Sequence, residues 1–200
     1  MTPQAGDIIL LAPAKGNESF LQRGIQKTGS VSTHNEIVIE TDGGLFCGCA
    51  SPPHYHLVPF YERVEACEQG QANMIVARWC EWPISAHPNR DYIEQQLRIT
   101  AMVRMMAALR TPYDNTALVS IARNWVRAKI PFLEPIIGRQ VEYAMYCTES
   151  VELIFRLTGI NLFRSIGLQR FYAPVHVERV LNNGQLNVIA NYGLAERLAM

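Results

Sequence analysis

The chain has 200 residues, and its 18 Lys and Arg balance 18 Asp and Glu, so the formal net charge is zero. That balance provides no long-range field for nucleic acid or an anionic surface, and 48 % apolar content fits a globular domain. Five cysteines, an odd number, make an incomplete disulfide framework and point to a reducing compartment.

The first apolar run, Ile8 to Ala12, is too short to span a bilayer and follows no basic leader. A cytoplasmic location is expected, with delivery by a signal-independent route left open. The same run reads as a buried strand, opened by Gly6-Asp7 and ended by Pro13 and Gly16. Residues 18–28 fit a short helix on Phe20, Leu21 and Ile25. A small-residue loop then leads to His34-Asn35-Glu36-Ile37-Val38-Ile39, a β-branched strand entered by a histidine. Thr41 to Gly44 is a hairpin turn, and Leu45 to Ala50 returns as the partner strand. Ser51-Pro52-Pro53 breaks it, His54 to Phe60 reads as extended, and Asn73 to Trp79 as a further strand.

The pattern then turns helical. Asn89 fits the cap of a long helix in which Ile93, Leu97, Ala101, Met105 and Leu109 make one apolar stripe. Thr111 to Asp114 ends it. Thr116 to Lys129 predicts a second, basic amphipathic helix, followed by the apolar, proline-broken stretch 131–137. Cys147 opens a third helix, with Val151, Ile154, Phe155 and Thr158 on one side and Gly159 at its stop. A strand-rich first half and helix-rich second half predict an α+β fold, an antiparallel sheet packed against helices. Residues 161–200 are expected to pack as a C-terminal extension on a domain spanning 1–160.

Two features carry chemistry. A helix N-terminus favours an anion, so a cysteine in the first turn is placed for a thiolate, and a strand histidine is its natural base. Each also has a plain structural reading: a buried small residue, and a half-buried histidine. Cys47-x-Cys49 with His54-x-His56 resembles a zinc donor set, but the spacing departs from common zinc modules, and sheet residues are the expectation.

Gly6-Asp7-Ile8-Ile9-Leu10, Ser32-Thr33-His34-Asn35-Glu36-Ile37-Val38, Pro112-Tyr113-Asp114 and Tyr146-Cys147-Thr148-Glu149-Ser150-Val151 together resemble the circularly permuted NlpC-type papain-like enzymes. That group is related to lecithin:retinol acyltransferase. The four matches run in the expected order from residue 6 to about residue 160. The resemblance implies a permuted papain-like fold, Cys147 as nucleophile and His34 as general base. It also implies the Cys147 backbone N–H as an oxyanion donor. The family's third polar residue follows on the next strand, yet Leu45 to Ser51 offers no acid, amide or histidine there. Glu36, two residues along from His34, is the alternative, ahead of Ser51 and His54, and a plain Cys–His dyad is also open. Tyr113 and Tyr146 are candidate substrate contacts.

The expected function is a cysteine hydrolase acting through an acyl-enzyme on an amide, in a cell-wall peptide or an N-acyl small molecule. A lipid acyltransferase or thioesterase, or an inactive binding module, are the alternatives. No cofactor and no nucleic acid are expected; the partner is a small-molecule, peptide or lipid substrate, with membrane contact not favoured.

Overall fold

The computed structural model describes residues 2–26, 29–82, 90–114, 146–166, 173–194 and 198. Strand β1 (Ile8–Pro13) leads to helix α1 (Phe20–Gln26), then β2 (His34–Thr41), β3 (Gly44–Ser51) and β4 (His54–Pro59). Helix α2 (Phe60–Glu68), β5 (Ala72–Trp79) and α3 (Arg90–Ala108) follow, then α4 (Cys147–Leu157), α5 (Pro174–Asn182) and β6 (Leu186–Tyr192). The six strands form one antiparallel sheet in the order β4-β3-β2-β1-β5-β6. The fold is α+β.

Alternation along the strands divides the side chains between two faces. Ile8, Leu10, Ile37, Ile39, Ala50 and Ala77 meet α3, α4 and α5 through Val103, Val151, Phe155, Val177 and Val180. The opposite face, with Ile9, Val38, Cys47, Met74 and Val76, is covered by Phe60, Val64 and Cys67 of α2. Two glycines permit close packing. Gly6 has φ +90° beneath the Trp82 ring, and Gly48 leaves room for Tyr55 and Val103 to approach the strand. Asp7, fully buried at the start of β1, accepts from Arg78 Nε at 2.7 Å and Nη2 at 2.8 Å, tying β1 to β5.

Two sequence expectations need correction. Phe60 opens α2 rather than closing a strand; Phe60, Val64 and Cys67 recur at helical spacing, a pattern obscured by the charged residues between them. The apolar stripe of α3 is not its buried face. Ile93, Leu97, Met105 and Leu109 are 45, 65, 54 and 71 % exposed, whereas Tyr92, Ile99, Val103 and Met106 are buried. Residues spaced strictly by four advance about 40° per step, so such a stripe winds around the helix and cannot stay on one seam. The C-terminal segment after residue 160 contains α5 and the edge strand β6, which pairs with β5. The helix expected over 116–129 and the apolar stretch 131–137 lie outside the described residues.

Candidate active site

His34 is the first residue of β2, so its side chain and that of Glu36 project from the same face. Their separation is 3.2 Å between Nε2 and Oε1. Continuing the β2–β3 register one step past Ile37 and Gly48 places Cys49 opposite Glu36. Its sulfur lies 3.2 Å from His34 Nε2 and 3.4 Å from Ser51 Oγ. From α2, Arg63 closes the group with a fork of donors: Nη2 is 2.6 Å from Glu36 Oε1 and Nε is 3.0 Å from Oε2. Glu36 is fully buried, Arg63 is 23 % exposed and His34 18 %.

Cys147 is the first residue of α4, following Tyr146 in extended conformation, and is 2 % exposed. This helix begins beside the start of β2. The Thr148 hydroxyl donates to Asn35 Oδ1 at 2.9 Å, and the Asn35 main-chain N–H bonds the Cys147 sulfur. The sulfur and the His34 imidazole interact through charge and a hydrogen bond.

Burial pushes the Cys147 thiol up, but the His34 charge and hydrogen bond, with help from Asn35 and Thr148, bring it below the ordinary cysteine value. Burial acts against a charge on His34 as well; the facing Cys49 and Cys147 sulfurs outweigh it and raise the imidazole well above its usual range. Burial would raise Glu36, yet the His34 and Arg63 partners hold its carboxyl down at about 2. An imidazolium between a thiolate and a carboxylate is the charge arrangement a thiol nucleophile uses.

The sequence candidates Cys147, His34 and Glu36 therefore come together. Tyr113 lies within electrostatic reach of the site: burial and the Cys147 and Cys49 sulfurs raise its hydroxyl, against the lowering effect of His34. Tyr146 is 5 % exposed and belongs to the apolar core. The place on β3 that held no acid, amide or histidine in the sequence is taken by Cys49. Sequence reasoning passed over Arg63, although a carboxylate in a β-branched buried strand requires a cationic partner. It also passed over Asn35 and Thr148. His54, a weaker candidate, turns instead to Arg110, whose Nε and Nη2 lie 2.9 and 2.7 Å from its Nε2.

Among the described residues, one set of side chains could hold a metal ion: His34, Glu36 and Cys49, with ligand atoms all within 4.8 Å of one another. It replaces the Cys47, Cys49, His54 and His56 set considered from the sequence. The fit is poor. Arg63 already occupies both oxygens of Glu36, so an ion there would sit against a fixed guanidinium charge.

No family model and no curated protein matches the sequence. The architecture itself has a counterpart among solved structures, an α+β molecule of the same extent. It is the crystal structure of metalloprotein yiiX from Escherichia coli O157:H7, described as DUF1105. The match has a TM-score of 0.61 over 96 % of this chain and 98 % of that one, at 16 % identity. A likeness at that identity concerns the fold alone.

Proposed function

We propose that the protein is a cysteine hydrolase that cleaves an amide through an acyl-enzyme on Cys147. The arrangement that carries this reading is the Cys147 thiol at the first turn of α4, hydrogen-bonded to a histidine that Glu36 and Arg63 hold from behind. His34 Nε2 faces Glu36 and Cys49. The thiolate attacks the carbonyl carbon, the carbonyl oxygen takes up the electron pair, and collapse expels the amine. His34 gives its proton to that amine and then draws one from the water that releases the acid. Glu36 keeps the imidazole oriented and stabilises its positive form, and Arg63 keeps Glu36 ionised. The order and context of the motifs favour the permuted papain-like family over an unrelated thiol enzyme. A lipid acyltransferase or thioesterase would use the same atoms with another acceptor or leaving group.

Incubation of the protein with cell-wall fragments and lipid extracts, followed by mass spectrometry of the Cys147 peptide, tests the reading. An acyl adduct absent from Cys147→Ala supports it and identifies the acyl group. Iodoacetamide should alkylate Cys147 well below the pH at which a free cysteine reacts, and lose that advantage in His34→Ala. Ordinary thiol behaviour, unchanged in His34→Ala, would instead indicate an inactive binding module.

A second reading takes His34, Glu36 and Cys49 as a metal site, favoured by their mutual distances and by the naming of the yiiX protein as a metalloprotein. A stoichiometric ion in the purified protein, lost in Cys49→Ser, would establish it. The Arg63 fork is the observation against it.

A further inference from the structure

Asn35 stands between the two halves of the site. It is fully buried, one residue past His34, with its side chain on the sheet face opposite that of His34 and Glu36. One arm of its amide, Oδ1, accepts from the hydroxyl of Thr148, the residue after Cys147. That hydroxyl is itself 3.9 Å from the Cys147 sulfur. Its main-chain N–H bonds the same sulfur. The other arm, Nδ2, is buried and has no hydrogen-bond partner among the described residues. Buried amides are nearly always paired, so a pinned amide with one orphaned donor calls for a partner that arrives from outside. Beside it lies the first turn of α4, whose N–H groups, Cys147 included, have no acceptor within their own helix.

We propose that the Asn35 side-chain amide is an oxyanion donor, binding the carbonyl oxygen of an acyl substrate together with the Cys147 main-chain N–H. The inference rests on Cys147 being the nucleophile, and it assigns the asparagine a catalytic contact that neither the histidine nor the helix explains. The reacting carbon stays beside the sulfur while its oxygen acquires negative charge. A donor already held in place by Thr148 meets that charge without reorganising. The Thr148 bond sets which arm is free: with Oδ1 taken by the hydroxyl, the arm left over is the donor.

Two thiol reactions that differ in one respect separate this role from a merely structural one. Iodoacetamide is attacked at a saturated carbon: sulfur bonds to carbon, iodide leaves, and no oxyanion forms. p-Nitrophenyl acetate is attacked at its carbonyl. The sulfur–carbon bond forms, the oxygen holds the electron pair, and collapse releases p-nitrophenolate and leaves S-acetyl-Cys147. Rates of both are measured at one pH on the full chain, with Cys147→Ala as blank and the modified peptide located by mass spectrometry. Asn35→Ala should slow acetylation about 100-fold, the usual loss for one oxyanion donor, and alkylation less than about 3-fold. Thr148→Val removes the tether but not the donor, so it should lower acetylation more than alkylation, though by less than Asn35→Ala does. Asn35→Leu keeps the side-chain shape and removes the donor without adding a charge beside the thiolate, and should show the same selective loss where Asn35→Ala fails to fold.

Parallel loss of both rates in Asn35→Ala makes Asn35 a positioning residue and overturns the proposal, as does an unchanged acetylation rate. A wild-type Cys147 that is alkylated rapidly but not acetylated at all also overturns it, while leaving the thiolate intact. A Cys147 that reacts with neither reagent faster than a free thiol removes the nucleophile itself, and the proposed function with it.

Discussion

Replacing Arg63 by alanine isolates the support behind the histidine. Glu36 is fully buried and makes both its short contacts with the guanidinium, at 2.6 and 3.0 Å. Removing one partner of a buried pair costs about 3–5 kcal/mol, because the other charge is left in a poorly solvated place. Two features reduce that figure here. Arg63 is 23 % exposed, so water replaces part of its charge, and His34 remains 3.2 Å from the carboxylate. The expected loss is therefore about 2–3 kcal/mol, or about 5–10 °C in Tm for a chain of this size. Urea denaturation at neutral pH measures it. Combining Arg63→Ala with Glu36→Gln completes a cycle in which the double variant should lose much less than the sum of the two. A loss below about 0.5 kcal/mol, the ordinary range for surface substitutions, or strict additivity in the cycle, would refute the view that Arg63 neutralises Glu36.

Other consequences are as direct. Glu36 has its folded carboxyl at about 2, below its usual 4.5, so its contribution to stability is complete above pH 4.5 and disappears as pH falls toward 2. That separation is worth about 3 kcal/mol, and denaturation at pH 5 and pH 2.5 should show a steeper acid loss in the wild type than in Glu36→Gln. Glu178 of α5 accepts from the Ser30 and Ser32 hydroxyls and the Val31 and Ser32 N–H groups at 2.5–3.2 Å. Glu178→Ala, by orphaning these donors, should cost about 3 kcal/mol in urea and slow Cys147 alkylation through the displaced His34 loop; a loss of under about 1 kcal/mol would contradict this. On α3, Leu97→Ala should change stability by no more than about 0.5 kcal/mol, against about 2–5 kcal/mol for the buried Ile99→Ala. Equal effects would place the helix the other way round.

Local rules reached β1 to β5 but not β6, because β-branched runs and a glycine-rich turn are short-range signals, and they reached the α4 helix through its mixed spacing of three and four. They failed on α3, where a regular interval of four looked like a seam and instead wound into solvent. The two ends of the site were visible as residue types in suggestive places: a thiol at a helix start, an imidazole at a strand entrance. What lay beyond reach was everything supplied by register and by the opposite face of the sheet. Cys49 meets the imidazole because β3 pairs with β2 in one particular register, and Arg63 reaches Glu36 because α2 packs across that face. The placement of Asn35 was legible only after α4 was laid against β2, which sets its amide beside Thr148.

The Glu178 clasp also bears on the order in which the protein matures. Asn35 and Thr148 are 113 positions apart, and Ser32 and Glu178 146. A ribosome extrudes the histidine strand long before the cysteine helix, and the glutamate that fastens the histidine's loop comes later still. An emerging polypeptide thus carries its sulfur undocked from the Glu178-fastened loop until residue 178 has left the exit tunnel.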